Sequence, residues 1–292
     1  MNPNQSSITA ENKALLRAHE FNRPPHERIC DDPYAVYFLP DRLFSAVDRT
    51  DQIKRAVADW ENHFPGVGNA IIARTRFIDD CLKAAIRDDA RQLVILGAGY
   101  DTRALRCKAL KEKVVVFELD HPTTQEKKLA RIEKHLDGVD GSHVRYIPID
   151  FSTETIAEKL FASGYDDQLK TLFIWEGVTY YLSAAAVDRT LTFIHQHAVS
   201  KSRVIYDYFP PSVADGTTHL PEARALCAGL RRIGEAVRFG IEPHQIESFM
   251  HTRGFTVIQN LTHNDWQTVY FKGSNKSRTV TEMFIFVEAM VS

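Results

Sequence analysis

Cysteine is scarce in this sequence. Its four cysteines, Cys30, Cys81, Cys107 and Cys227, include no C-x-x-C pair. That spacing offers neither the ligand pattern of a structural zinc site nor a disulfide framework. Reduced thiols in a cytoplasmic protein are the expectation. Long apolar runs are missing as well, and none approaches the roughly 20 residues of a bilayer-spanning helix. The polar start MNPNQSSITAENK has no apolar stretch of the secretory type. Charge of one sign is also lacking: 36 Lys and Arg stand against 38 Asp and Glu, for a net charge of −2. No nucleic-acid or anionic-membrane partner is implied. There is no internal repeat and no low-complexity tract. What remains is a chain of 292 residues, 44% hydrophobic and 25% charged. That is enough for a sizeable core, in one large α/β domain or one domain with an appended cap.

The chain changes texture near residue 90. Residues 11–90 read as helical. ENKALLRAHEFN stops before Pro24 and Pro25, because a proline disfavours helix in the residue before it. NAIIARTRFIDDCLKAAIRD carries an apolar stripe at Ile72, Phe77, Ile78, Cys81, Leu82, Ala85 and Ile86. From Gln92 on, QLVILG, VVVFEL, VRYIPI, LKTLFIW and SRVIYDYF are short β-branched or aromatic runs. Helical stretches such as TTQEKKLARIEKHL and AAAVDRTLTFIHQHA lie between them. Strands alternating with helices predict βαβ units and a parallel sheet covered on both faces. Residues 211–240, broken by Pro210, Pro211 and Pro221, read as an insertion after strand 5. TVIQNL and TEMFIFVEAMV supply two late strands with no clear helix between them, hence an antiparallel terminal hairpin. The expected fold is α/β and Rossmann-like: seven strands ending in such a hairpin fit the class I methyltransferase sheet, and the elements up to the fifth strand fit a dinucleotide-binding sheet equally well. Residues 1–90 form a helical N-terminal cap, and residues 91–292 form the core with the insertion 211–240 as a lid, integrated as one domain.

Gly97-Ala98-Gly99 follows the first strand and precedes a helix. Glycine there permits a tight turn and close approach of a ligand to the backbone. Glu118 and Asp120 end the second strand, Asp120 lying 21 positions after Gly99. An acid at that spacing accepts hydrogen bonds from ribose hydroxyls. NAD and S-adenosylmethionine both satisfy it. Asp101 favours the second. A dinucleotide site brings a pyrophosphate to this helix start, and position 102, where its fingerprint wants glycine, holds Thr102. A carboxylate at position 101 repels phosphate and suits a sulfonium. Without any ligand, Asp101 reads as a helix cap contributing about 1 kcal/mol. Asp150-Phe151 and Trp175-Glu176 follow the third and fourth strands. Carboxylates at four successive strand ends (Asp101, Asp120, Asp150, Glu176) converge where open α/β sheets bind ligands, and point to one cationic, ribose-bearing ligand.

ARTRFIDD, LGAGYDTR, FELDHP and WEGVTYYL, in that order, resemble the leucine carboxyl methyltransferase-like family, above all its bacterial branch of S-adenosylmethionine-dependent methyltransferases. RAHEFNRPPHERICDDPYA and RFGIEPHQIESFMHTRGF extend the resemblance over nearly the whole chain. It implies S-adenosyl-L-methionine as cofactor and S-adenosyl-L-homocysteine as product. It implies that Arg74 reaches the methionine carboxylate, that Gly97 lies at the glycine turn and that Asp120 binds the ribose. Asp150 and Phe151 then flank adenine, and Glu176 is the acid after the fourth strand. An N-terminal lysine of the phosphatase-methylating members has no motif match here, and Arg17 is assigned its role.

Methyl transfer is an in-line displacement in which positioning can supply ~7–11 kcal/mol of the barrier. A carboxylate acceptor is ionised at pH 7 and needs no base; a hydroxyl or amine wants one. Tyr180, Tyr181, Asp207, Tyr208 and His244 are the weak candidates, with packing the simpler role for each tyrosine. His195 and His197 diverge at i, i+2 of a helix and predict no metal site. The expected activity is O-methylation of a carboxylate or hydroxyl on a small molecule. The alternatives are a protein C-terminal carboxyl methyltransferase, an NAD(P)-dependent oxidoreductase and a non-catalytic cofactor-binding protein. The N-terminal helices and residues 211–240 are expected to close over the acceptor and exclude water.

Overall fold

The structure, a computed structural model, describes residues 8–44, 49–151 and 153–292. Ahead of the sheet come α1 (Ile8–Phe21), α2 (Asp41–Phe44), α3 (Arg49–His63) and α4 (Val67–Arg87). Strands and helices then alternate through β1 (Gln92–Leu96), α5 (Arg103–Arg106), α6 (Lys108–Lys113), β2 (Val115–Asp120), α7 (Pro122–His135) and β3 (Val144–Pro148). They continue through α8 (Ile156–Ala162), β4 (Thr171–Trp175), α9 (Ala184–His197) and β5 (Arg203–Tyr208). The predicted insertion holds α10 (Pro211–Asp215) and α11 (Pro221–Arg232), and the chain ends with α12 (Ile246–His251), β6 (Phe255–Leu261), α13 (His263–Tyr270) and β7 (Ile285–Val291).

All seven expected strands join one sheet in the order β3-β2-β1-β4-β5-β7-β6. β1 to β5 are parallel, and β7 runs antiparallel between β5 and β6. Every residue of β1 and β4 is buried, because helices cover both faces. Leu93, Ile95, Leu172, Ile174 and Ile205 face one core with α4 and α11; Val94, Leu96, Phe173, Val204 and Tyr206 face the other with α8, α9 and α12. α4 earns its place through Ile71, Thr75, Ile78, Leu82 and Ala85, buried at alternating spacings of four and three. It shares the core of β1 and β4, so this part of residues 1–90 is a layer of the sheet as well as a neighbour of the N-terminal helices.

The connection between β6 and β7 differs from the expected hairpin. α13 stands between the two strands. Its Thr262 and Asp265 form a reciprocal capping box, with Thr262 N donating to Asp265 Oδ2 at 2.8 Å. Trp266 stacks on Phe286 of β7 with ring centroids 3.7 Å apart. His195 and His197 pack as rings against Phe255 and Phe161, and no metal-holding group of His, Cys, Asp or Glu occurs among the described residues. No described helix is long and apolar enough to cross a membrane.

Candidate active site

β1 and β4 are neighbours, yet the chain leaves them in opposite directions across the sheet, and a cleft opens beyond their carboxyl ends. A cavity of about 620 Å³ fills it, within the ordinary range of small-molecule sites. Gly97, Gly99 and Asp101 line it from the β1 turn, Asp120 from β2, Asp150 and Phe151 from β3, and Glu176 from β4. Arg17 and Lys13 reach it from α1, and Glu235 and Arg238 from the segment after α11. The cleft is thus walled by both regions expected to form a lid, with residues 1–7 lying outside the described residues.

The glycine turn is fixed by its neighbours. Gly97 N and Ala98 N both donate to Leu119 O, at 2.9 and 3.0 Å. Gly97 has φ of +69°, and a Cβ there would lie 2.6 Å from Val178 Cγ2. A side chain would therefore meet both backbone strain and the cavity wall. Asp120 accepts from Gly99 N and, at 2.6 Å, from His121 N. Burial raises its carboxyl against these two amides. Its oxygens retain lone pairs for ribose hydroxyls. Glu118 points into the sheet's helical layer, where it pairs with Lys128 of α7, and burial pushes its carboxyl up to about 7 against that cation.

Beneath the cavity runs a chain of buried ion pairs. Arg103 binds Asp79 at 2.7 Å, Asp101 at 2.5 Å and Glu176 at 2.8 Å. Arg74 binds Glu176 at 3.0 Å and Asp207 at 2.5 Å. Arg106 links Asp79 at 2.8 Å, and Arg17 binds Asp32 at 2.8 Å and Tyr100 O at 2.6 Å. Burial alone would raise the Glu176 carboxyl, but the Arg74 and Arg103 guanidinium charges outweigh it and hold the group well below the usual range. Asp79 and Asp32 are lowered by the same balance of burial against arginine.

This network corrects the expectation built on Asp101. Its Oδ1 caps Arg103 N at 2.7 Å while its Oδ2 pairs with the Arg103 guanidinium. Asp101 shares the Arg103 guanidinium with Asp79 and Glu176, so it repels a phosphate less than the free carboxylate the expectation assumed. The four strand-end acids do share one cavity, but Asp101 and Glu176 meet it already paired with arginine. Arg74 lies under Glu176 and lines a second, neighbouring cavity rather than the first.

Among the candidate bases, Tyr180 stacks on Phe209 at 4.0 Å and lines the second cavity. Asp207 is spent on Arg74 and on Gly177 N at 2.5 Å. Tyr208 faces the opposite side of the sheet and donates to Asn260 Oδ1 at 2.9 Å. His244 is exposed and lines neither cavity. Burial pushes the phenols of Tyr180 and Tyr181 well above their ordinary value, with Glu235 adding to it at Tyr181.

Lys13 is the residue that sequence reasoning missed. It lies one helical turn before Arg17 on the same face of α1. Its Nζ donates to Gly177 O at 3.3 Å. Desolvation in the cleft and the Arg74 charge push its ammonium down to about 8. Gly177 has φ of +69°, and a Cβ there would collide with Lys13. The spacing Lys13–Arg17 was the available signal.

These residues fit a sulfonium nucleoside. The glycine turn leaves the backbone open, Asp120 offers acceptors to a ribose, and Glu176, held between Arg74 and Arg103, keeps acceptor lone pairs for an ammonium. Arg17, on the cofactor cavity alone, brings a cation near the methionine carboxylate.

A family model described as leucine carboxyl methyltransferase matches residues 10–195. YktD of Bacillus subtilis (strain 168), provisionally named an S-adenosyl-L-methionine-dependent methyltransferase, is 24% identical over 99% of both chains. A protein of Mycolicibacterium smegmatis (strain ATCC 700084 / mc(2)155), provisionally named in the same way, is 34% identical over 78% of this chain and 71% of its own length. The crystal structure of a protein from Thermobifida fusca YX, provisionally titled a methyltransferase, superposes with a TM-score of 0.55 at 16% identity, covering 88% of this chain and 93% of that one.

Proposed function

We propose that this chain, which belongs to the leucine carboxyl methyltransferase family and is an S-adenosylmethionine-dependent methyltransferase, places its methyl group on an oxygen of a small molecule, a carboxylate. Asp120 would hold the ribose, Asp150 and Phe151 the adenine, and Glu176 the methionine ammonium, with the backbone of Gly97–Gly99 beside the amino-acid portion. Bound S-adenosylmethionine supplies a methyl carbon activated by the sulfonium. The O–CH₃ bond forms as the C–S bond breaks, its electron pair stays on sulfur, and carboxylate and sulfonium become a neutral ester and thioether. No proton has to be removed.

The observation that carries this reading is the wall shared by the two cavities, formed by Thr9, Lys13 and Tyr181. Lys13 brings an ammonium. Tyr181 brings a phenol that its surroundings keep protonated. Both are donors, and donors suit an anionic acceptor group more than one that must lose a proton. The protein's own part is to orient that group and exclude water from it.

A second reading changes the acceptor to a hydroxyl. Glu235, which accepts a hydrogen bond from the Thr9 hydroxyl in the same cavity, would take the proton. Mild alkali separates the two. Label transferred from methyl-labelled S-adenosylmethionine into a metabolite extract is released as methanol if the product is an ester. Label that survives as an ether overturns the carboxylate reading.

A further inference from the structure

The second cavity has a different character from the first. It holds about 230 Å³. Trp60, Ile71, Phe209, Leu226, Leu230 and Phe284 supply most of its apolar wall. They come from α3, α4, the end of β5, α11 and the approach to β7. Thr9, Lys13 and Tyr181 separate it from the cofactor cavity, and Asn12 and Tyr180 also line it. The Arg74 guanidinium, on its wall, is already taken by Glu176 and Asp207.

We propose that this cavity binds the non-reacting body of the acceptor, and that the acceptor is a small carboxylic acid whose body is an uncharged hydrocarbon, with its carboxylate at Lys13. The inference rests on the carboxylate reading above and narrows it to a substrate class. An apolar wall stabilises a guest roughly in proportion to the apolar area removed from water and offers a second charge or a sugar no partner for the water it would lose. The charge of the guest is complementary to Lys13 at the wall shared with the cofactor cavity, whereas the Arg74 guanidinium is already balanced by Glu176 and Asp207. Size gives a further bound: an apolar cavity of about 150 Å³ takes up benzene, so about 230 Å³ accommodates one ring with a short chain, or a medium-length alkyl chain. 4-Phenylbutanoate has these dimensions and serves as the probe.

Gly229 on α11 provides the test. It lines the cavity, and a Cβ built there meets nothing within 4 Å. Gly229→Ala therefore fits, while Gly229→Phe fills the space. Calorimetry on the full chain is expected to show 4-phenylbutanoate binding that Gly229→Ala retains and Gly229→Phe weakens at least tenfold. S-adenosylhomocysteine should bind all three proteins alike, which also shows that the variants are folded. Equal binding of 4-phenylbutanoate to the wild type and Gly229→Phe overturns the proposal. So does tighter binding of succinate, or methylation of a leucine-terminated hexapeptide with higher kcat/KM than 4-phenylbutanoate. Binding that follows this pattern without methyl transfer upholds the cavity assignment and removes the carboxylate reading instead.

Discussion

The two cavities lie on either side of Lys13 and are built by opposite means. The first is charged, and its floor comes from consecutive strand ends, whose residues appear in the sequence in chain order, with α1 and the segment after α11 closing over it. The second is apolar and drawn from α1, α3, α4 and α11, parts of the chain that meet only in three dimensions. The floor of the first cavity is set by the sheet, through Gly97, Asp120, Asp150 and Glu176 at its strand ends. The proposed acceptor half is set by helices laid over the sheet. That division makes the two halves separable by substitution.

The largest effect is expected beneath the charged cavity. Arg103→Met leaves Asp101 without its cation and takes one of two arginines from Asp79 and from Glu176, and breaking a buried pair in this way costs about 3–5 kcal/mol. Denaturant unfolding should show a loss of that order, whereas Gly229→Phe should shift stability far less. Comparable losses in the two would erase the contrast between a charged floor and an apolar pocket.

A smaller effect sharpens the contrast in binding. Asp120→Asn removes the charge at the ribose position, and a hydrogen bond to a charged group contributes about 1.5–3 kcal/mol. S-adenosylhomocysteine should bind at least tenfold more weakly by calorimetry, with 4-phenylbutanoate unchanged within twofold. Parallel losses of both ligands would show that the cavities are not independent.

The smallest effect concerns the residue between them. Lys13→Met should raise the KM for 4-phenylbutanoate about tenfold, roughly 1.4 kcal/mol, with a lesser change in cofactor affinity. Because its ammonium is pushed down to about 8, wild-type affinity for 4-phenylbutanoate should hold below that pH and fall as pH rises through it. Lys13→Arg, which keeps its charge, should bind evenly up to pH 9. A flat wild-type profile from pH 7 to 9 would place Lys13 away from the acceptor carboxylate.

The same division governs what could be read from sequence. Gly97, Asp120, Asp150 and Glu176 were legible because each follows a recognisable strand, and strand ends of a parallel sheet converge. Asp101 was seen but misjudged: its neutralising partner Arg103 stands two positions on, yet the ion pair depends on Asp79 and Glu176 holding that guanidinium in place. α13 was missed although Thr262 and Asp265 spell a capping box and Trp266 an apolar anchor, because eight residues between two strong strands give little periodicity. Lys13 was hidden for another reason. Its meaning comes from Gly177, Arg74 and Tyr181, far away in the chain, and on α1 only its spacing to Arg17 sets it apart from a solvated charge.

The most direct test of two cavities with two tasks is a crystal structure of the protein with S-adenosylhomocysteine and 4-phenylbutanoate. The expected result is the ribose on Asp120, the adenine against Phe151, the phenyl ring among Ile71, Leu230 and Phe284, and the carboxylate beside Lys13. A phenyl ring anywhere else, or a carboxylate turned away from Lys13, would contradict it.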